Sequence, residues 1–155
     1  MRPERVRRDE ARVVGIQART SSRLEADPAT AAVPGLWRRF QDDRLGDRIP
    51  GRAGARVTCA VYSDYQDAGR RFSCLVGAEV AEAGEPPAGL VAVTVPAGDY
   101  LVFAARGPMP AALAATWGRI AEFFEHAQMS RAFTVDLEVH YPAGSAVDVF
   151  VAIDG

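Results

Sequence analysis

Apolar and polar positions alternate along much of this chain, and two stretches switch to helical spacing. Alternation is clearest in "FTVDLEVHY" (Phe133–Tyr141), where Val135, Leu137, Val139 and Tyr141 share one face and Thr134, Asp136, Glu138 and His140 the other. The β-branched run "RVVGIQART" predicts a first strand from Arg12. Asp27 before Pro28 predicts a helix start. Leu36, Trp37 and Phe40 form that helix's apolar stripe, and Pro34 and Gly35 inside the pattern delay or kink it. After a loop over residues 47–55, "RVTCAVYSDY" and "RFSCLVGAEVAEA" predict a hairpin turning at "QDAGRR", followed by the loop "GEPPAG". "LVAVTVPAGDYLVFAARG" holds two strand-like runs, with a bend or bulge expected at Pro96, which cannot donate to a ladder. "PMPAALAATWGRIAEFFEHA" predicts an amphipathic helix with Leu113, Trp117, Ile120 and Phe124 on one stripe. "FTVDLEVHY" and "AVDVFVAI" then close the chain as a hairpin through "PAGS".

The order strand, helix, strand, strand occurs twice. It predicts an α+β domain over residues 12–155, built from duplicated βαββ units at about 12–82 and 90–155. Their strands form one curved antiparallel sheet with the two main helices on one face and a groove at the centre. Tyr62 precedes the strand-terminal Tyr65 by three residues, as Glu138 precedes Tyr141. The repeat therefore places Tyr62 and Glu138 near a pseudo-twofold axis. The Val135, Leu137, Val139 face is expected to pack on the helices, with Glu138 on the opposite face, in a pocket between the halves.

Composition narrows the function. Net charge is −2 over 155 residues, without the clustered basic excess of a nucleic-acid-binding protein. The Arg-rich but mixed-charge start, residues 1–11, reads as a flexible leader. Cys59 and Cys74 lie in apolar runs and read as buried thiols of a reducing cytoplasm rather than as a disulfide or metal site. No apolar run reaches membrane-spanning length, so a cytoplasmic location is expected. His126 and His140 stand alone at spacings that suit no metal, and Glu79 is a weaker groove candidate. A carboxylate buried among aromatics calls for a cationic partner or protonation, which makes Glu138 the leading candidate for binding chemistry.

Several segments in order resemble the GyrI-like effector-binding domains, which also form the ligand-binding parts of some AraC-type and MerR-type multidrug regulators. These are "PGLWRRF", "VYSDY", "VTVPAGDYLVFAARG", "TWGRIAEFF" and "LEVHY". The similarity runs from about Val13 to Ile153. It implies binding of a bulky, aromatic, often cationic molecule, with Glu138 facing the cation. It also implies aromatic walls from Trp37, Tyr62 and Tyr100, together with Trp117 and Tyr141. No DNA-binding helix-turn-helix fits the N-terminal segment, so the resemblance is to the stand-alone form, without direct nucleic-acid contact. Some such relatives hydrolyse cyclopropane-containing natural products, which would make Glu138 and Tyr62 catalytic. A protein-interaction inhibitor is the third reading. No cofactor or metal is implied, and a monomer or a dimer is compatible with the pattern.

Overall fold

A computed structural model describes residues 3–53, 57–82, 84–142 and 144–154. The loop expected over 47–55 and the turn at 142–145 lie partly outside these. Among the described residues eight strands form one sheet: β1 (Glu4–Arg8), β2 (Ala11–Ser21), β3 (Thr58–Gln66), β4 (Arg71–Val80), β5 (Val91–Val95), β6 (Gly98–Arg106), β7 (Val135–His140) and β8 (Ala146–Ala152). The helices are α1 (Ser22–Glu25), α2 (Val33–Asp42) and α3 (Ala111–His126), with a 3-10 turn at Leu45–Arg48. None of the described helices is long and apolar enough to cross a membrane.

Every strand pairing is antiparallel, in the order β1-β6-β8-β7-β3-β4-β2-β5. The order falls into two four-strand halves joined where β3 meets β7 with Val61 opposite Leu137, and β5, expected within the unit at 90–155, lies instead in the half formed by β2, β3 and β4. Each unit has a fourth strand that the repeat did not anticipate. β5 lies on the rim of the first unit beside β2, and β1 on the rim of the second beside β6. Pro96 therefore does not bend one continuous strand. It marks the crossing from β5 in one unit to β6 in the other, where its missing N–H breaks the ladder. The charged leader is likewise corrected, because Glu4–Arg8 is a paired strand. Val6 packs on the core, and the Arg8 guanidinium lies 4.5 Å over the Phe150 ring.

The sheet is sharply curved. Gly15 pairs with Gly77 across β2 and β4. A Cβ on Gly15 would stand 2.0 Å from the Val76 carbonyl oxygen, so only glycine permits this approach. The curl brings β5 towards β7 and closes the inner face over Val13, Val61, Leu75, Tyr100 and Leu137. Each such fully buried side chain contributes about 1.5–3 kcal/mol.

Both main helices cover the outer face. Leu36 and Phe40 of α2 pack on Val14, Ile16 and Val76. Ile120 of α3 packs on Leu101, Phe103 and Val149. The expected orientation of β7 is thus reversed: Val135 and Leu137 point into the curl, and Glu138 points to the helix side. A sheet that buries both faces gives no alternation signal for which side the helices take. Helix α2 starts at Val33, with Pro34 in its first turn, and not at Pro28. The Asp27 carboxylate instead accepts from Ala29 N–H in a local turn, and Glu25 accepts from the Ala32 and Val33 amides at the start of α2.

Candidate functional site

Strand alternation sends Asp136, Glu138 and His140 to the outer face, in the gap between α2 and α3. Glu138 sits opposite Ala60 and Asp136 opposite Tyr62, which makes Tyr62 and Glu138 diagonal neighbours across the central strand pair. The small Ala60 leaves room beside the carboxylate.

Glu138 is 1% exposed. Its Oε2 accepts from the Tyr62 hydroxyl at 3.1 Å and from Trp117 Nε1–H of α3 at 2.7 Å. Its Oε1 lies 2.8 Å from His140 Nε2. Among the described residues no arginine is bonded to it, so its charge has no permanent counter-ion in contact there. Burial, and then the Glu138 charge, hold the Tyr62 hydroxyl far above its usual range, keeping it neutral and donating.

A hollow of about 400 Å³ opens in front of this group, lined by Tyr62, Tyr65, Phe72, Trp117, Val33 and Arg131, among others. Its rings form a chain of contacts. Trp117 meets Tyr62 at 5.8 Å, Tyr62 meets Phe72 at 5.7 Å, Phe72 meets Tyr65 at 5.8 Å, and Tyr65 meets Phe133 at 5.5 Å. Gly69 (φ +84°) lets the Phe133 ring approach, since a Cβ there would be 2.5 Å from it. Beneath the far end, Asp136 is fully buried and accepts from the Tyr65 hydroxyl, Arg131 Nη2 and Ala152 N–H. A second hollow of about 340 Å³ opens on the His140 side of Glu138, where Trp37, Thr58, Met109 and Tyr141 are among its walls. The Trp37 and His140 rings pack at a tilt of 52° with centres 4.4 Å apart.

Of the residues expected at the site, Glu138, Tyr62 and Trp117 meet directly. Trp37 and Tyr141 line the second hollow, where the Tyr141 hydroxyl bonds Asp148 at 2.9 Å. Tyr100 does not join them. It is buried on the inner face and donates to the Pro96 carbonyl, because the chain crosses between units at that point instead of bending towards the groove. Glu79 shares that inner side and pairs with Arg8 at 3.6 Å. His126 ends α3 and is exposed. Cys59 and Cys74 are buried free thiols, and burial pushes Cys59 up to about 11. His140, Tyr65, Phe72 and Arg131 line the two hollows and Asp136 bonds two of them, but none was singled out for a binding role. Alternation from Glu138 could have found His140 and Asp136. Arg131 lies before β7 in an irregular segment that carries no periodic signal.

A curled sheet under two helices, with a buried carboxylate bonded to two residues that line an aromatic hollow, fits a small-molecule-binding domain. The chain belongs to the family of integron-associated effector binding proteins, a GyrI-like family whose profile matches residues 6–153. The fold is shared with the integron cassette protein VCH_CASS2 from the mobile metagenome of Vibrio cholerae. That match has a TM-score of 0.82 at 22% identity and covers 99% of this chain and 97% of that one. SAV2435, solved bound to tetraphenylphosphonium, aligns with a TM-score of 0.79 at 13% identity, covering 100% and 95%. A hydrolase from Listeria innocua aligns with a TM-score of 0.52 at 11% identity, covering 99% and 92%. No relative was found among curated proteins.

Proposed function

We propose that the gap between α2 and α3 binds a bulky aromatic cation, with Glu138 as the counter-charge. One observation carries this reading: a carboxylate 1% exposed is held by Tyr62, Trp117 and His140, with no permanent cation in contact among the described residues. Such a charge is costly to bury, and a ligand cation over the adjacent rings would offset that cost. Each aromatic face adds roughly 0.5–2 kcal/mol of cation–π attraction. The volume of the hollow lies within the usual range for small-molecule sites. SAV2435 supports the same ligand class through its bound tetraphenylphosphonium. Both tryptophans of the chain, Trp37 and Trp117, touch the Glu138 cluster. Titration with tetraphenylphosphonium should therefore quench intrinsic fluorescence saturably. A linear, unsaturable response to it and to other aromatic cations would overturn the reading.

The Glu138–His140 contact favours a second reading, hydrolysis of a strained cyclopropane conjugated to a carbonyl. Water would add through its oxygen to a ring carbon while Glu138 takes a proton. The ring C–C bond breaks, and its electron pair passes into the conjugated carbonyl. Tyr62 protonates that oxygen and recovers a proton from Glu138, to which it is hydrogen-bonded. The product is the substrate plus one water. Mass analysis after incubation with such a compound tests this, and Glu138→Gln and Tyr62→Phe should each abolish the product while an unreactive analogue lacking the cyclopropane still binds.

A further inference from the structure

The aromatic hollow is not uniformly anionic. Glu138 lies behind Tyr62 and Trp117, Glu25 is among the walls, and the Arg131 guanidinium borders the same hollow. Arg131 is 19% exposed and lines the hollow, with its Cζ 4.4 Å over Phe133 and 5.9 Å from the Trp117 ring. Asp136 engages it through Nη2 at 2.6 Å, and its buried Nε has no hydrogen-bond partner among the described residues. A guanidinium carries five N–H donors in a rigid fork, so the Asp136 contact leaves donor capacity over. The backbone around Arg131 is fixed, because Arg131 bridges to Ile153 and Ala132 N–H bonds the Ala152 carbonyl. The arginine is therefore held in place at the edge of the hollow. A ligand carrying only positive charge gains from Glu138 but leaves the spare N–H donors of this arginine unused.

We infer that the preferred ligand is bipolar, an aromatic cation that also carries an anionic carboxylate or phenolate oxygen, with the cation towards Glu138 and the oxygen accepting hydrogen bonds from Arg131. This rests on the cation-binding reading above and names the ligand class more narrowly. The ring chain from Trp117 to Phe133 would seat the aromatic body between the two poles.

Rhodamine B and its ethyl ester share one cationic xanthene and differ by a single carboxylate, so their affinities by fluorescence anisotropy test the inference. The wild-type protein should bind rhodamine B about tenfold or more tighter than the ester, the scale of one charge-assisted hydrogen bond. Arg131→Gln should erase that ratio, chiefly by weakening rhodamine B. Glu138→Gln should weaken both probes alike and keep the ratio. Because Arg131→Gln leaves Asp136 buried without its cation, the double variant Arg131→Gln/Asp136→Asn is measured beside it, with thermal unfolding as the check on folding, and should show the same lost ratio. Equal wild-type affinities, or a ratio unchanged in a folded Arg131 variant, would overturn the inference while leaving the cation site standing. If neither probe binds saturably, both readings fall. If both bind but Glu138→Gln changes neither, the cation assignment fails, and with it the orientation inferred here.

Discussion

Replacing Glu138 with glutamine separates the charge of this side chain from its shape. The glutamine carbonyl oxygen can take the place of Oε2 and keep the Tyr62 and Trp117 donors, now at 3.1 and 2.7 Å. Its amide would then face His140, whose Nε2 accepts a hydrogen bond when Nδ1 carries the ring proton. Every contact has a neutral counterpart, so stability should change by less than about 1 kcal/mol. Affinity for a cation should fall much further. A ligand cation one ring beyond the carboxylate, at about 6 Å, interacts with it by roughly 3 kcal/mol at an effective dielectric of about 20. A charge-assisted contact of about 1.5–3 kcal/mol gives a similar figure. Together these predict a loss of about 10- to 150-fold in Kd. Calorimetric titration with an aromatic cation and a neutral compound of matching shape, beside thermal unfolding of both proteins, measures all three quantities. The neutral compound should lose less than about threefold. The reasoning fails if the cation loses no more than the neutral compound, or if the variant melts far below the wild type.

Gly15→Ala should destabilise the protein by more than about 3 kcal/mol in denaturant unfolding, because its Cβ would overlap the Val76 carbonyl and the backbone of Gly77. Deleting residues 1–9 removes β1 and should cost about 2 kcal/mol or more through lost burial of Val6 and the unpaired edge of β6. Alkaline stability should fall from about pH 9 upward. Cys59 is raised to about 11 by burial and the Glu79 charge, and Tyr62 and Tyr65 are raised by burial and their carboxylate partners. These acids are held neutral in the folded state. Their stabilisation is therefore complete below the unfolded pKa values and is lost as pH climbs towards the folded ones. Cys59 alone accounts for about 2–3 kcal/mol between pH 9 and 11. A flat unfolding free energy from pH 9 to 11 would contradict this assignment.

The repeated units, the sheet, the two helices and the meeting of Tyr62 with Glu138 were legible because they depend on local periodicity and on the order of elements. The side of the sheet that bears the helices was not, since β7 is buried on both faces and Glu138 looks there like a solvated residue. Tyr100 was misplaced for a related reason. "VPAGDY" has the composition of a bend, and composition does not reveal that the chain changes partners there. β1 was hidden because its sequence, "ERVRR", carries one apolar residue, Val6, and owes its place to the open edge of β6. Arg131 depends on Asp136 and Phe133 for its position and has no pattern of its own.

The exchange of rim strands ties the two units together. The segment leading into the first unit finishes the second, and the segment leading into the second finishes the first, so each half wears the other's border. In a pair of separate single-unit proteins the same arrangement would be a reciprocal strand swap between protomers. Within one chain it means that neither half can close alone, and β1 must find β6 across most of the sequence. Such distant pairings slow folding and bind its steps together. The seam that carries Glu138 then opens or forms only with the whole molecule, so loss of the groove should coincide with global unfolding instead of preceding it.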